Sequence, residues 1–288
     1  MNNNGGIYET KKEMVVGKPQ LKVDNSNYFS PEANMEYMGA SQFKDFKECE
    51  VHALAKLKGE YVEEKSKALL VGSYVDAYFS GEMEQFKLEN PQIFKKDGTL
   101  LKDFEKANEI IEAINNDPLM LKYLSGQHQV VMTGKIAGVN FKIKVDSLLD
   151  NVIVDQKIMS SIRELTWKYD EETKRNKQLD FVEAFGYDIQ GAIYQEIVFQ
   201  NTGKKLPFVL AVATKEEGVD KALIQIDQEY LDKALALVKE LAPRYDLIKK
   251  GVIEPVGCGK CPSCRKARKC EEVVSYKDFF QKGEDENA

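Results

Sequence analysis

Long apolar runs are absent from this chain: the longest, Leu206 to Ala213, has eight residues where a membrane-crossing helix needs about 20. No membrane span is expected. Histidine is scarce, with only His52 and His128, far apart and each without a partner at metal-ligand spacing, so a histidine-built zinc site is not the leading reading. Neither Gly-x4-Gly-Lys-Ser/Thr nor Gly-x-Gly-x2-Gly occurs, which removes the usual phosphate cradles of nucleotide cofactors. An excess of positive charge is missing too: 41 basic against 47 acidic residues leave a net charge of −6. That excludes a uniformly basic nucleic-acid coat protein and leaves room for a local basic channel. The opening Met1-Asn2-Asn3-Asn4-Gly5-Gly6 lacks the charged start and apolar stretch of a secretory signal, so the expected location is the reducing cytoplasm.

What is present is enough for a sizeable core, since 43% of the 288 residues are hydrophobic. Residues 1–35 read as a polar leader with a short strand around Glu13 to Val16. Helical spacing begins at Ser41, a candidate N-cap, with Phe43, Phe46, Leu54 and Leu57 on one side. Further helices are expected over Lys67 to Phe79 and Lys102 to Asn115. Alternating or apolar runs at His128 to Met132, Val139 to Leu148 and Val152 to Ile158, separated by Gly and Asp-Asn turns, predict a strand meander. Phe181 to Gln200 returns to helical spacing, Lys205 to Thr214 and Ala222 to Ile226 read as strands, and Gln228 to Lys249 reads as a long helix. The pattern predicts an α/β domain over 36–256, a central mixed sheet flanked by helices. It is followed by a Cys-rich basic segment, 257–272, and an acidic tail, 273–288, with Glu284, Asp285 and Glu286.

Two strands carry the chemistry. Period-two alternation in Phe141-Lys142-Ile143-Lys144-Val145-Asp146 puts the apolar residues on one face and Asp146 on the other. The next strand delivers Asp155-Gln156-Lys157 at its end, with Asp155 and Lys157 on one face. A turn at Asp150-Asn151 makes the strands antiparallel neighbours and brings Asp146 towards Asp155. Crowded carboxylates suit Mg²⁺ or Mn²⁺, and a lysine beside them suits a phosphodiester reaction. An acid-x-Lys tripeptide alone is weak, as Asp45-Phe46-Lys47 and Glu63-Glu64-Lys65 repeat it on ordinary helix surface. Such strand-end acids are expected to be exposed and dispensable for folding. Downstream, Tyr187, Gln190 and Tyr194 share a helix face, with Gln190 and Tyr194 expected on the substrate side.

The ordered set Asp146, Asp155-Gln156-Lys157 and Tyr187-x2-Gln190-x3-Tyr194 resembles the signature of PD-(D/E)XK nucleases, most closely the phage RecE-like (exodeoxyribonuclease VIII-like) exonucleases. The resemblance spans roughly Ser41 to Cys270. It implies a Mg²⁺-dependent DNA exonuclease that resects double-stranded ends for a RecT-like single-strand annealing protein, working as a ring-like homo-oligomer. It also implies metal ligation by Asp146, Asp155 and the Gln156 carbonyl. Gly72-Ser73-Tyr74-Val75-Asp76 stands where those enzymes place a Gly-rich helix ending in a metal-touching histidine or acid, so Asp76 replaces the commoner histidine. Two rival readings stay open: a metal-stapled DNA-binding or assembly protein with a vestigial site, and a CRISPR-adaptation or repair nuclease.

Four of the five cysteines, Cys258, Cys261, Cys264 and Cys270, fall within thirteen residues, and the fifth, Cys49, is distant. In a reducing compartment this density points to thiolate ligation of zinc or an iron–sulfur cluster rather than disulfides. With Cys49, the run Cys261-x2-Cys264-x5-Cys270 resembles the iron–sulfur staple of AddAB-type and CRISPR-associated exonucleases. That resemblance implies a [4Fe–4S] cluster on Cys49, Cys261, Cys264 and Cys270, with Cys258 spare. A set built on Cys258, or Zn²⁺ instead of iron, remains the alternative. Lys260, Arg265, Lys266, Arg268 and Lys269 in the same segment are candidate phosphate contacts.

Overall fold

The computed structural model describes residues 21–170, 175–270 and 272–277. The strand expected around Glu13 to Val16 and the acidic residues Glu284, Asp285 and Glu286 lie outside these residues. Seven helices come first: α1 Pro31–Glu36, α2 Ala40–Glu48, α3 Glu50–Leu57, α4 Lys67–Ser80, α5 Met83–Glu89, α6 Lys106–Asn115 and α7 Pro118–Tyr123. Then follow β1 Gln127–Ile136, β2 Val139–Leu149, β3 Val152–Met159, β4 Thr166–Asp170 and β5 Arg175–Leu179. The chain continues with α8 Phe181–Phe185, α9 Tyr187–Thr202, β6 Phe208–Thr214, β7 Lys221–Gln225, α10 Gln228–Lys249 and α11 Pro262–Ala267.

Five strands form one mixed sheet in the order β1-β2-β3-β6-β7, in which β3 and β6 pair in parallel and the other neighbours are antiparallel. All of β6 is buried, as a continuous apolar run requires when both faces of its sheet are covered. On one face Ile189, Ile193 and Ile197 of α9 meet Ile143, Val145 and Leu210, with α2 and α10 behind them. On the other, Val71 and Val75 of α4 and Ile110 and Ile114 of α6 pack on Val154, Val209 and Ala211. This is the helix–sheet–helix arrangement anticipated from the sequence.

The local differences have physical causes. The helix expected from Ser41 starts at Ala40, with Gly39 as N-cap, so Ser41 sits inside the first turn. It ends where Cys49 turns extended, at φ −164° and ψ 112°, and Cys49 is at once the C-cap of α2 and the N-cap of α3. The stretch Phe181 to Gln200 is two helices, because Gly186 adopts φ +62° between them, a conformation glycine enters without steric cost. The hairpin β4–β5 was not anticipated: its second strand, Arg-Asn-Lys-Gln-Leu, is almost wholly exposed and carries no apolar alternation. Within the stretch read as a polar leader, Tyr28 and Ala33 are buried, and Lys142 of β2 bonds to the Tyr28 carbonyl and, at 2.7 Å, to Asn34 Oδ1. The supposedly open polar face of β2 is thus covered by residues that precede α2.

Close packing of α9 on the sheet depends on Gly191, where an added Cβ would lie 2.6 Å from Phe208 and 2.9 Å from Leu231. Phe208 is fully buried and cannot move aside freely. Gly191→Ala should therefore cost about 1–3 kcal/mol through overpacking. At Gly72 of α4 the same addition meets Ile158 at 3.7 Å, an ordinary contact, so Gly72→Ala should stay within about 0.5 kcal/mol of wild type or stabilise slightly. Urea midpoints of the two variants check the contrast, and equal midpoints would refute it.

Candidate active site

The site forms where β2 and β3 part. Their ladder ends at Ser147↔Val154, and one step further the register sets Asp146 opposite Asp155. There the Asp146 carboxylate takes over from the ladder, accepting the Gln156 N–H at 2.9 Å. The β1–β2 pairing skips the same place, running from His128↔Ser147 to Val130↔Val145. The skipped residue of β1, Gln129, has φ +52° and a buried side-chain amide with no hydrogen-bond partner. A non-glycine residue held in that region costs about 1–3 kcal/mol. The distortion at Asp146 is therefore built from both neighbours, and nothing in strand periodicity could have revealed Gln129.

Asp155 is 1% exposed and pairs with Lys157. Its Oδ1 accepts a 2.6 Å hydrogen bond from Gln190 Nε2 of α9. Tyr194, one turn on, donates at 3.0 Å to the Lys144 carbonyl of β2. Both α9 residues are buried, Gln190 holding Asp155 and Tyr194 holding the β2 backbone, and neither lines the cleft as their spacing had suggested. The expectation of exposed acids fails at Asp155, which Gln190 of α9 covers, while Asp146 is half-buried at the cleft. Tyr187 does reach the open side, its ring 5.5 Å from Lys157 Nζ and 5.3 Å from Lys44 Nζ. Lys44 comes from α2, and no sequence signal marked it.

An open cleft of about 480 Å³ leads in, lined by Asp76 of α4, Asp146, Gln156, Lys157, Tyr187 and Lys215. Burial, followed by the charge of Asp155, raises the Asp146 carboxyl well above the ordinary range. Asp76 is raised as well, by burial first, with Lys157 and Lys144 opposing it. Burial works against the Lys157 ammonium, yet Asp155 and Asp146 outweigh it and its pKa rises. Lys44, half-buried, is lowered to about 8 by desolvation first and then by the charge of Lys157. The carboxylates of Asp76, Asp146 and Asp155 and the Gln156 carbonyl form a donor set of hard oxygens that suits a divalent cation, and such an ion would favour their charged forms.

A second group of ligand atoms lies away from the cleft. Cys49, Cys258, Cys261 and Cys264 bring their sulfurs within 4.8 Å of one another, and among the described residues no carboxylate trio is drawn together so tightly. Cys270 is exposed and outside the group. The set expected from the iron–sulfur resemblance is thus changed by one member. Cys261 caps α11 and Cys264 lies in its first turn, whereas Cys270 comes after the helix has carried the chain about 9 Å onward.

A mixed sheet between helices, with one acid on a strand, Asp-x-Lys on the next and a Gln-bearing helix behind them, defines the PD-(D/E)XK class. The family described as a PDDEXK-like domain of unknown function (DUF3799) matches residues 39–267, and the chain belongs to it. A crystal structure of a candidate exonuclease from Eubacterium rectale is similar at 47% identity and a TM-score of 0.82, covering 90% of this chain and 98% of that one. No curated protein matches.

The raised carboxyl of Asp146 has a consequence for stability. The folded protein holds that proton more tightly than the unfolded chain, so the contribution is present below the ordinary carboxylate range and is lost as pH rises through the raised value. Without added divalent cation, the thermal midpoint of the wild type should fall across that window more than that of Asp146→Asn. Superimposable pH profiles of the two proteins would show that Asp146 is not protonated in the fold.

Proposed function

We propose that the chain is a metal-dependent DNA exonuclease that hydrolyses phosphodiester bonds at the cleft between β3 and α4. The observation that carries this reading is the meeting of Asp146, Asp155 and Lys157 at one point, with Asp76 opposite. Asp146, Asp155, Asp76 and the Gln156 carbonyl would hold Mg²⁺ or Mn²⁺. Bound there, the ion supplies charge neutralisation at the phosphate and an acidified water. Lys157, held charged by Asp155, orients the attacking water and meets the charge that builds on the phosphoryl oxygens. Gln190 fixes the Asp155 carboxylate, and Tyr194 fixes β2 beside Asp146. Lys44 and Lys215 flank Lys157 as candidate contacts to the DNA backbone.

The name of the Eubacterium rectale relative and the family membership support nuclease chemistry. Duplex-end resection, a RecT-like annealing partner and a ring-like homo-oligomer rest on the resemblance to RecE-like exonucleases alone. The intact acid, acid and lysine favour an enzyme over a binding protein with a vestigial site. Among the described residues no helix is long and apolar enough to cross a membrane.

End-labelled linear duplex with Mg²⁺ tests the reading, with a covalently closed circle as the control that separates exonuclease from endonuclease action. Asp155→Asn is preferable to Asp155→Ala, because it keeps the side-chain volume and an oxygen that can accept from Gln190; both variants remove the charge facing Lys157, so a thermal melt of each separates folding from chemistry. Asp155→Asn and Lys157→Ala should each lose at least about 10²-fold in rate. Gln190→Ala should lose about 10–100-fold, as the outer partner of a metal ligand does. Wild-type rates in both Asp155→Asn and Lys157→Ala would place the centre elsewhere.

A further inference from the structure

We propose that Cys49, Cys258, Cys261 and Cys264 bind a single Zn²⁺ ion as a closed structural tetrathiolate, and that no [4Fe–4S] cluster is present. The sulfur spacing decides between the two. Around one ion with Zn–S bonds near 2.3 Å, tetrahedral ligation sets the sulfurs about 3.8 Å apart. Here Cys49 Sγ lies 3.6 Å from Cys264 Sγ and 3.6 Å from Cys261 Sγ, and the whole set falls within 4.8 Å. In a cubane each thiolate binds a different iron, so an iron–iron edge is added to that separation. The space between these four sulfurs takes one ion and not a cluster.

The surrounding backbone is shaped for the same purpose. Cys258-Gly259-Lys260-Cys261 forms a tight knuckle in which Gly259 has φ +72° and the Cys261 N–H points to Cys258 Sγ at 3.3 Å. The next knuckle repeats it, with the Cys264 N–H on Cys261 Sγ at 3.4 Å. Across the fold the Cys258 N–H reaches Cys49 Sγ, also at 3.4 Å. Such N–H donors stabilise thiolates rather than thiols. A Cβ on Gly257 would lie 2.8 Å from Cys264 Sγ, so the chain can pass this close only as glycine. Four thiolates on Zn²⁺ leave a net charge of −2, and Lys260, Arg265, Lys266 and Arg268 of the same segment offset it. The family match, residues 39–267, includes all four of these cysteines and stops short of Cys270.

The ion would bind the segment after α10 to the junction of α2 and α3, closing a loop of more than two hundred residues. Three further contacts run along the same seam. Arg244 of α10 forms a bidentate pair with Glu50 at 2.6 and 2.8 Å, and Glu50 also accepts the Val256 N–H at 2.7 Å. His52 Nδ1 lies 2.8 Å from Ser263 Oγ. The junction also starts α3 and ends the helix that sets Lys44 beside Tyr187.

Elemental analysis of the full chain, purified anaerobically from cells supplied with both iron and zinc, tests the assignment. The expected result is a colourless protein with one zinc per chain and neither iron nor acid-labile sulfide. Exchange with Co²⁺ should give the visible bands of a tetrahedral thiolate site. Cys258→Ser should reduce zinc affinity at least tenfold, and Cys270→Ser should leave stoichiometry and affinity unchanged. Brown protein carrying iron and sulfide would overturn the proposal, as would a chain without metal, or loss of metal in Cys270→Ser with retention in Cys258→Ser. Metal content is read without DNA, so it stands or falls separately from the nuclease reading, and the Asp155→Asn protein should carry the same zinc.

Discussion

The pair formed by the buried Asp155 and the half-buried Lys157 constrains everything around it. An unpaired charge on Asp155 at that depth would cost several kcal/mol, so it must be held in register with Lys157 and its other oxygen met. Gln190 meets that oxygen from α9, which obliges α9 to lie close on the sheet and explains a glycine, Gly191, at the next position. Asp146 meets its own need by taking the Gln156 N–H, which is possible only because the β2–β3 ladder has already ended. The parting of two strands is thus both the cause of the opening and the means of charging it.

The two sheet faces have different duties. Apolar side chains of α9, α2 and α10 bury one face and carry the buried support behind the carboxylates. On the other, α4 brings Asp76 to the cleft that Lys157 also lines. The polar face of β2, which alternation alone would leave to solvent, is sealed by Tyr28 and Asn34, so Lys142 is buried and its pKa falls to about 8 through desolvation. A lysine on a strand is therefore no guide to exposure where a preceding segment folds back over it.

The cysteine quartet works at the C-terminal end of α2. Cys49 owes its place to a break between two helices, and the three C-terminal members owe theirs to successive two-residue knuckles. Arg244, Glu50 and Val256 form a polar seam next to it, so thiolates and ion pair act on the same junction. The middle of α2 and its C-cap are in this way tied to elements distant in sequence: Lys44 to the Phe185 carbonyl at 3.1 Å, Cys49 to the C-terminal knuckles.

The alternating and continuous apolar runs determined the strands, and the helical spacing determined the flanking layers, because burial on one face or two imprints its period on the side chains. The pairing of Asp146 with Asp155-x-Lys157 was legible for the same reason: a short turn leaves two strands few ways to meet. The hairpin β4–β5 was not legible, since it buries almost nothing and so imposes no pattern. Nor were Gln129, Lys44 or the burial of Gln190, which depend on elements that approach from elsewhere in the chain. Cysteine spacing announced a metal site but could not choose between Cys258 and Cys270. The tertiary structure groups Cys258 with Cys49, Cys261 and Cys264, because the knuckle brings the Cys258 N–H to Cys49 Sγ, whereas Cys270 follows α11 and lies outside the group.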